Sequence, residues 1–290
     1  MKFKKKDIYA ISEKNIKILK DGHIKIHKGV KYPLEPFISD ATDNTVCLPI
    51  DNIINQESIG TTKDNPDIVY KMTTMTNVIS IPSYVALYHS KNIVQTVVAT
   101  TTRKLSDEKF SFDDPTIVGA LMRTSTLPAI YKRIKDNWID LNDKPIETAN
   151  VLFIPGIFVY LDNNDGSILK YPFKVNLLVV SEPNRKEIEK TSEYQDANVR
   201  NSVFINRMVS HVMDAAIKCN VNNLVIAPYC HKWLVSDIYD TANVWHVNAH
   251  KNDVRSSIES ITFAVNNEDY FIIFKNAGDN DITLDSSLSL

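Results

Sequence analysis

The chain has 290 residues, of which 43% are hydrophobic and 23% charged, an ordinary globular composition with enough length to bury a sizeable core. A formal charge of -2 and a pI of about 6.4 supply no global positive field to recruit nucleic acid or anionic lipid. Three widely spaced cysteines, Cys47, Cys219 and Cys230, form no CxxC pair and cannot close a disulfide framework, which fits a reducing compartment.

Lys2, Lys4, Lys5 and Lys6 make one basic cluster at the N-terminus, read as a solvated, frayed end rather than a binding arm. That end is charged where a secretory signal would be apolar, and no run reaches membrane-spanning length, so a soluble cytoplasmic protein is expected. Residues 1–70 alternate polar turns (Asp21-Gly22, Asp43-Asn44, Asn65-Pro66) with short runs at 23–27 and 46–50. This predicts short strands and loops, and residues 1–76 are set apart as an N-terminal elaboration of a domain spanning 77–276. Strands are predicted at 78–81 and at 93–100, the latter rich in β-branched residues and nearly all apolar or Thr, as a strand buried on both faces should be. A polar stretch follows, and then a helix that starts after Asp114-Pro115, with Asp114 as N-cap and Pro115 at its first position.

Further strands are expected at 151–154, 157–160 and 174–180, with a turn at Asn163-Asn164-Asp165-Gly166. Phe204, Met208, Val212, Ala215 and Ala216 recur at three- and four-residue steps and predict a long amphipathic helix. A buried strand at 224–227, a helix near 238–250 and a strand at 258–265 complete the series. Residues 277–290 are expected to be a disordered tail. Alternation of strand and helix implies crossovers, hence a three-layer α/β/α architecture around a mixed sheet. The abundance of Asn, Ile, Lys and Asp suits an AT-rich genome such as that of a virus, phage or parasite.

Motif chemistry is sparse. There is no G-x-S-x-G, Walker segment or G-x-G-x-x-G. His246 and His250 have the i, i+4 spacing of a zinc pair but no accompanying carboxylate motif, so no metal is expected. Nor is any cofactor implied.

Several segments taken in order resemble the microbial-type poly(ADP-ribose) glycohydrolases. Ala120-Leu121-Met122-Arg123-Thr124-Ser125-Thr126-Leu127 resembles that family's A-L-C-R-S-S-T-L helix, and Ile154–Tyr160 with Asp162 resembles its S-P-x-V-x-V-F-R-D strand. Val179–Asn184 resembles I-T-S-P-A-P-N, followed by a helix carrying Arg207. Leu224–Cys230 through Asp237 resembles a phosphate-loop segment, and Ile261–Val265 its terminal strand. The resemblance implies a macrodomain-like fold over residues 77–266. It also implies a cleft at the strand ends, formed by Phe158, Ser181, Asn184 and the loop holding Tyr229, Cys230, His231, Lys232 and Trp233. The ligand it implies is ADP-ribose or a related nucleotide.

The same resemblance places the family's Q-E-E triplet at Ile117, Val118 and Gly119, where no carboxylate stands, and its glycine-rich turn near residues 105–109, which hold no glycine. Asp113, Asp114 and Glu182 remain as carboxylates that a shifted loop could bring to a ligand, against the plainer role of Asp113 and Asp114 as turn and helix cap. His231 and Lys232 can pair with a phosphate, or sit on an ordinary surface loop with Trp233 packed beneath. Three functions follow. One is a catalytically impaired module that binds or sequesters a nucleotide and, if viral or phage-borne, acts in the host cytoplasm to blunt a defence signal. The second is a hydrolase with a relocated carboxylate, and the third a ligand-free interaction protein whose N-terminal region meets a protein partner.

Overall fold

The computed structural model describes residues 5–26, 29–48, 66–72, 96–101, 117–141, 150–181, 197–226, 238–251, 254, 257–265 and 268–279. The expected strand at 78–81 and the end of the tail lie outside them.

Nine strands are present among the described residues: β1 His23–Lys25, β2 Lys31–Pro33, β3 Val46–Leu48, β4 Asp67–Met72, β5 Thr96–Thr101, β6 Val151–Leu161, β7 Ile168–Ser181, β8 Asn223–Ile226 and β9 Ser260–Val265. The helices are α1 Lys5–Asp21, α2 Glu35–Asp43, α3 Ile117–Thr124, α4 Leu127–Leu141, α5 Ala197–Lys218, α6 Ile238–Ala249 and α7 Glu268–Asp279. Seven strands form one sheet in the order β3-β6-β7-β5-β8-β9-β4, while β1 and β2 pair separately. The ladders β7-β5, β5-β8, β8-β9 and β9-β4 are parallel, and β3-β6 and β6-β7 antiparallel.

Side-chain alternation along the strands builds two cores. Leu152, Ile154, Leu177, Val179, Val97 and Val225 face α1, α2, α3 and α4. Val151, Phe153, Leu178, Val180, Leu224, Ile226, Ile261 and Phe263 face α5, α6 and α7. The sheet is therefore covered on both faces, the three-layer α/β/α arrangement expected. On α5, Met208, Val212, Ala215 and Ala216 are buried as the periodicity predicts.

The expected strands at 151–154 and 157–160 are one. Their register shifts between Ile154 and Ile157, around Pro155, which has no N–H to give a ladder, and Gly156, whose φ of 65° only glycine adopts freely. The Gly156 N–H turns aside to donate to Asn176 Oδ1 at 2.9 Å.

The N-terminal seventy-six residues correct the sequence reading most. They are not strands and loops alone, because they contain α1 and α2. Helix α1 buries Ile11, Ser12 and Asn15, with Ile18 and Leu19 packed beside them, and closes on Gly22 at φ 69°, whose N–H caps the Ile18 carbonyl at 3.1 Å. In α2, Phe37 stacks on Phe158 with centroids 4.2 Å apart and planes 6° from parallel. Nor is the segment an appendage: it supplies both edge strands of the sheet, β3 and β4. At the other end α7 runs to Asp279, across the expected tail boundary at residue 277.

Candidate functional site

Because β4, β9, β8, β5 and β7 are parallel, their carboxyl ends, Met72, Val265, Ile226, Thr101 and Ser181, share one edge of the sheet. Strand β5 lies between β7 and β8. The chain leaving β5 passes through α3 and α4 on one face and re-enters at β6, beyond β7. The chain leaving β7 passes through α5 on the other face and re-enters at β8, on the opposite side of β5. The connections thus part at Thr101. A crevice opens outside the carboxyl ends wherever an open α/β sheet has such a switch point.

Helices α5, α6 and α7 each begin after a carboxyl strand end and run away from that edge, so their positive dipole ends point to it. Helix α3 is oriented likewise. Its far end is fixed to the lower part of β6 by the Ser125–Val159 bridge, by Thr126 N–H donating to Phe158 O at 3.0 Å, and by Phe158 N–H donating to Thr126 Oγ1 at 3.1 Å. Its first turn, Ile117 to Gly119, is thereby directed back toward the edge where β5 ends.

Ser181 lies on this edge, paired with Thr101. Because β5 intervenes, β7 and β8 are two strand spacings apart across the sheet, about 10 Å, and the end of β8 lies level with Val98 rather than Thr101. Phe158 is placed differently again. Strand β6 runs antiparallel to β7, and Phe158 pairs with Lys174, seven residues back from Ser181, about 20 Å from the carboxyl edge. Its ring is spent on Phe37 and Tyr160, with 7% of its surface exposed. Asp113, Asp114, Glu182, Asn184, Tyr229, Cys230, His231, Lys232 and Trp233 lie outside the described residues. They belong to segments that leave the ends of β5, β7 and β8.

At the positions that the resemblance assigns to the catalytic triplet, Ile117 and Val118 are 1% and 4% exposed and Gly119 is buried with them. Every residue of α3 is buried, Arg123 included, whose Nε donates to Asn163 Oδ1 at 3.1 Å. Burial pushes the Cys219 thiol up to about 11, only partly opposed by Lys218, and raises Cys47 as well. Neither is a thiolate nucleophile at neutral pH. No group of three or more His, Cys, Asp or Glu able to hold a metal occurs among the described residues. His246 is fully buried beside Phe263, with Nε2–H donating to Phe274 O at 2.9 Å. No helix among the described residues is long and apolar enough to cross a membrane.

The sequence reading passed over the residue that ties this helix down. Asn15 of α1 is 0% exposed, and its Nδ2 donates to Met122 O at 2.8 Å and Ser125 O at 3.1 Å, while its Oδ1 accepts from Tyr160 Oη. The available signal was an asparagine within a helical stripe that is apolar apart from it and Ser12.

No protein-family model matches the chain, and no curated protein matches it in sequence. Among solved structures, poly(ADP-ribose) glycohydrolase from Thermomonospora curvata superposes with a TM-score of 0.74 at 16% identity, over 93% of this chain and 98% of that one. The same enzyme bound to the inhibitor ADP-HPD gives 0.71 at 15% identity, over 93% and 98%. Poly(ADP-ribose) glycohydrolase from Deinococcus radiodurans in complex with ADP-ribose gives 0.62 at 14% identity, over 84% of this chain and 98% of that one. The chain has the fold of the microbial poly(ADP-ribose) glycohydrolases, a macrodomain-like mixed sheet between helical layers.

Proposed function

We propose that this chain binds ADP-ribose or a related nucleotide, cyclic signalling forms included, in the crevice at the carboxyl end of β5 and does not hydrolyse poly(ADP-ribose). The observation that carries this reading is the combination of a glycohydrolase fold with an α3 whose first turn is Ile117, Val118 and Gly119, buried and without a carboxylate. Neither an aliphatic side chain nor a glycine can pass a proton to a departing ribose oxygen. Supporting the binding half, solved structures of this fold hold ADP-ribose and ADP-HPD, and the dipoles of α5, α6 and α7 converge on the same edge here. Ser181, Asn184 and the residues from Tyr229 to Trp233 would line the crevice, with His231 and Lys232 meeting phosphate by charge where glycine amides are missing.

Such a protein sequesters its nucleotide. The AT-biased residue usage supports a viral or phage setting in which that would blunt a signal. Two measurements on one preparation test the proposal. Isothermal titration with ADP-ribose and its cyclic relatives is expected to give heat with at least one of them, while incubation with poly(ADP-ribose) is expected to release no ADP-ribose. Absence of heat with every nucleotide rejects binding, and released ADP-ribose rejects the loss of catalysis.

A further inference from the structure

The near-neutral charge of the whole chain hides a division. Residues 1–32 carry ten lysines against three acids, Asp7, Glu13 and Asp21, a net of +7, so the remaining residues carry -9. The structure gathers the described part of this positive segment into one unit, α1 followed directly by the β1–β2 ribbon. Lys17 and Lys20 on the outer side of α1, and Lys25 and Lys31 on the ribbon, are exposed. Glu13 shares that side of α1, and Asp7 and Asp21 are exposed at its ends.

Lys25 and Lys31 are direct cross-strand partners, in a ribbon whose six residues include no acid. Like charges facing across a two-stranded ribbon are destabilising. An anion lying across them would remove that cost. One aromatic ring accompanies the lysines, Tyr9 at 60% exposure on α1, whereas Tyr32 pairs with the buried Ile24 and so projects from the other face of the ribbon than Lys25 and Lys31.

Two kinds of polyanion suit a lysine surface, and the packing of α1 separates them. Insertion into an anionic bilayer needs a free apolar helix face. Here that face is occupied, with Ile11 at 3% exposure and Ile18 and Leu19 packed against the core. An exposed tyrosine beside lysines instead supplies what an unpaired strand uses, charge for phosphates and a ring for an unstacked base. We propose that α1 and the β1–β2 ribbon form a docking surface for single-stranded nucleic acid, separate from the crevice at β5.

The test is fluorescence anisotropy of a labelled single-stranded oligoribonucleotide with the full chain. Four lysine–phosphate contacts imply an affinity that falls about fifty-fold between about 50 and about 200 mM salt. The variant carrying Lys17→Gln, Lys20→Gln, Lys25→Gln and Lys31→Gln is expected to lose most of the binding and most of the salt dependence. Its melting temperature should hold or rise slightly, since it also removes the Lys25–Lys31 repulsion. Tyr9→Ser is expected to weaken binding while leaving the salt slope unchanged. The proposal is overturned by absence of binding at low salt, by unaltered binding in the four-lysine variant, or by equal affinity for duplex RNA. Displacement of the oligonucleotide by free ADP-ribose also overturns it, because that would put the strand in the crevice.

Discussion

Asn15→Leu isolates the contact that holds α1 against the end of α3. Leucine nearly matches asparagine in size and offers no polar atom. The substitution strands Met122 O and Ser125 O, both at a helix end where backbone carbonyls lack intrahelical donors, and takes the acceptor from Tyr160 Oη. A buried polar group left without a partner costs about 1–3 kcal/mol. Three such groups, less the gain from burying leucine and the residual approach of Tyr160 Oη to Ser125 O at 3.4 Å, give about 3 kcal/mol net. For 290 residues, an unfolding entropy of about 2.1 cal/mol/K per residue converts this to a fall of about 5 °C in melting temperature. Differential scanning calorimetry reads it directly. The double variant with Tyr160→Phe is expected to lose less than the two single losses together, since each single change orphans what the other removes. A melting temperature within about 1 °C of the parent, or strict additivity, would refute the account.

The same tyrosine sets an alkaline limit. Burial raises the Tyr160 phenol above its ordinary value, so the folded state holds that proton more tightly than the unfolded chain. The stability linked to it is complete below about pH 10 and lost as pH rises beyond, a component that Tyr160→Phe should remove from the denaturation profile. Val118→Glu is expected to lower the melting temperature by several degrees and to confer no polymer cleavage, because a carboxylate there enters an apolar cluster at a site 4% exposed. Gly278→Ala tests two opposed effects on α7. Helix propensity favours alanine by about 1 kcal/mol, but its Cβ would lie 1.8 Å from Tyr70 Oη and 2.9 Å from His246 Cε1. The clash is expected to win by about 1–3 kcal/mol, with Tyr70→Phe giving partial rescue in chemical denaturation.

The elements read correctly from sequence are those whose pattern survives burial on both sides. Residues 96–101, 151–154, 157–161, 177–180 and 261–265 are β-branched or apolar without break, and α5 keeps its three- and four-residue steps. Helix α1 escaped because its inward stripe contains Ser12 and Asn15, which satisfy themselves inside the fold and look like surface residues in a sequence. Strand β4 escaped because only Ile68 and Tyr70 pack inward while Val69 and Met72 are exposed, at 46% and 59%. Strand order was illegible for another reason: nothing local in residues 174–180 or 223–226 records that β5 fills the space between them. The misplacement of Phe158 follows from direction, since an antiparallel strand carries its later residues away from the edge where its parallel neighbours end.

The rigidity of α3 decides where catalysis could come from, if any exists. Its eight residues are all buried, its last turn is bonded to Asn15, and Arg123 is tied to Asn163. The first turn therefore cannot swing a side chain into the crevice without unpacking the core, and a general acid would have to come from chain that leaves the strand ends at that edge. That limits the carboxylates singled out in the sequence to Asp113 and Asp114 from the first connection and Glu182 from the second. Asp113→Ala, Asp114→Ala and Glu182→Gln are each expected to leave the absence of poly(ADP-ribose) cleavage unchanged and the heat of nucleotide binding within about threefold of the parent. Release of ADP-ribose by the parent, abolished by any one of these substitutions, would identify that carboxylate as a relocated acid and replace sequestration with hydrolysis.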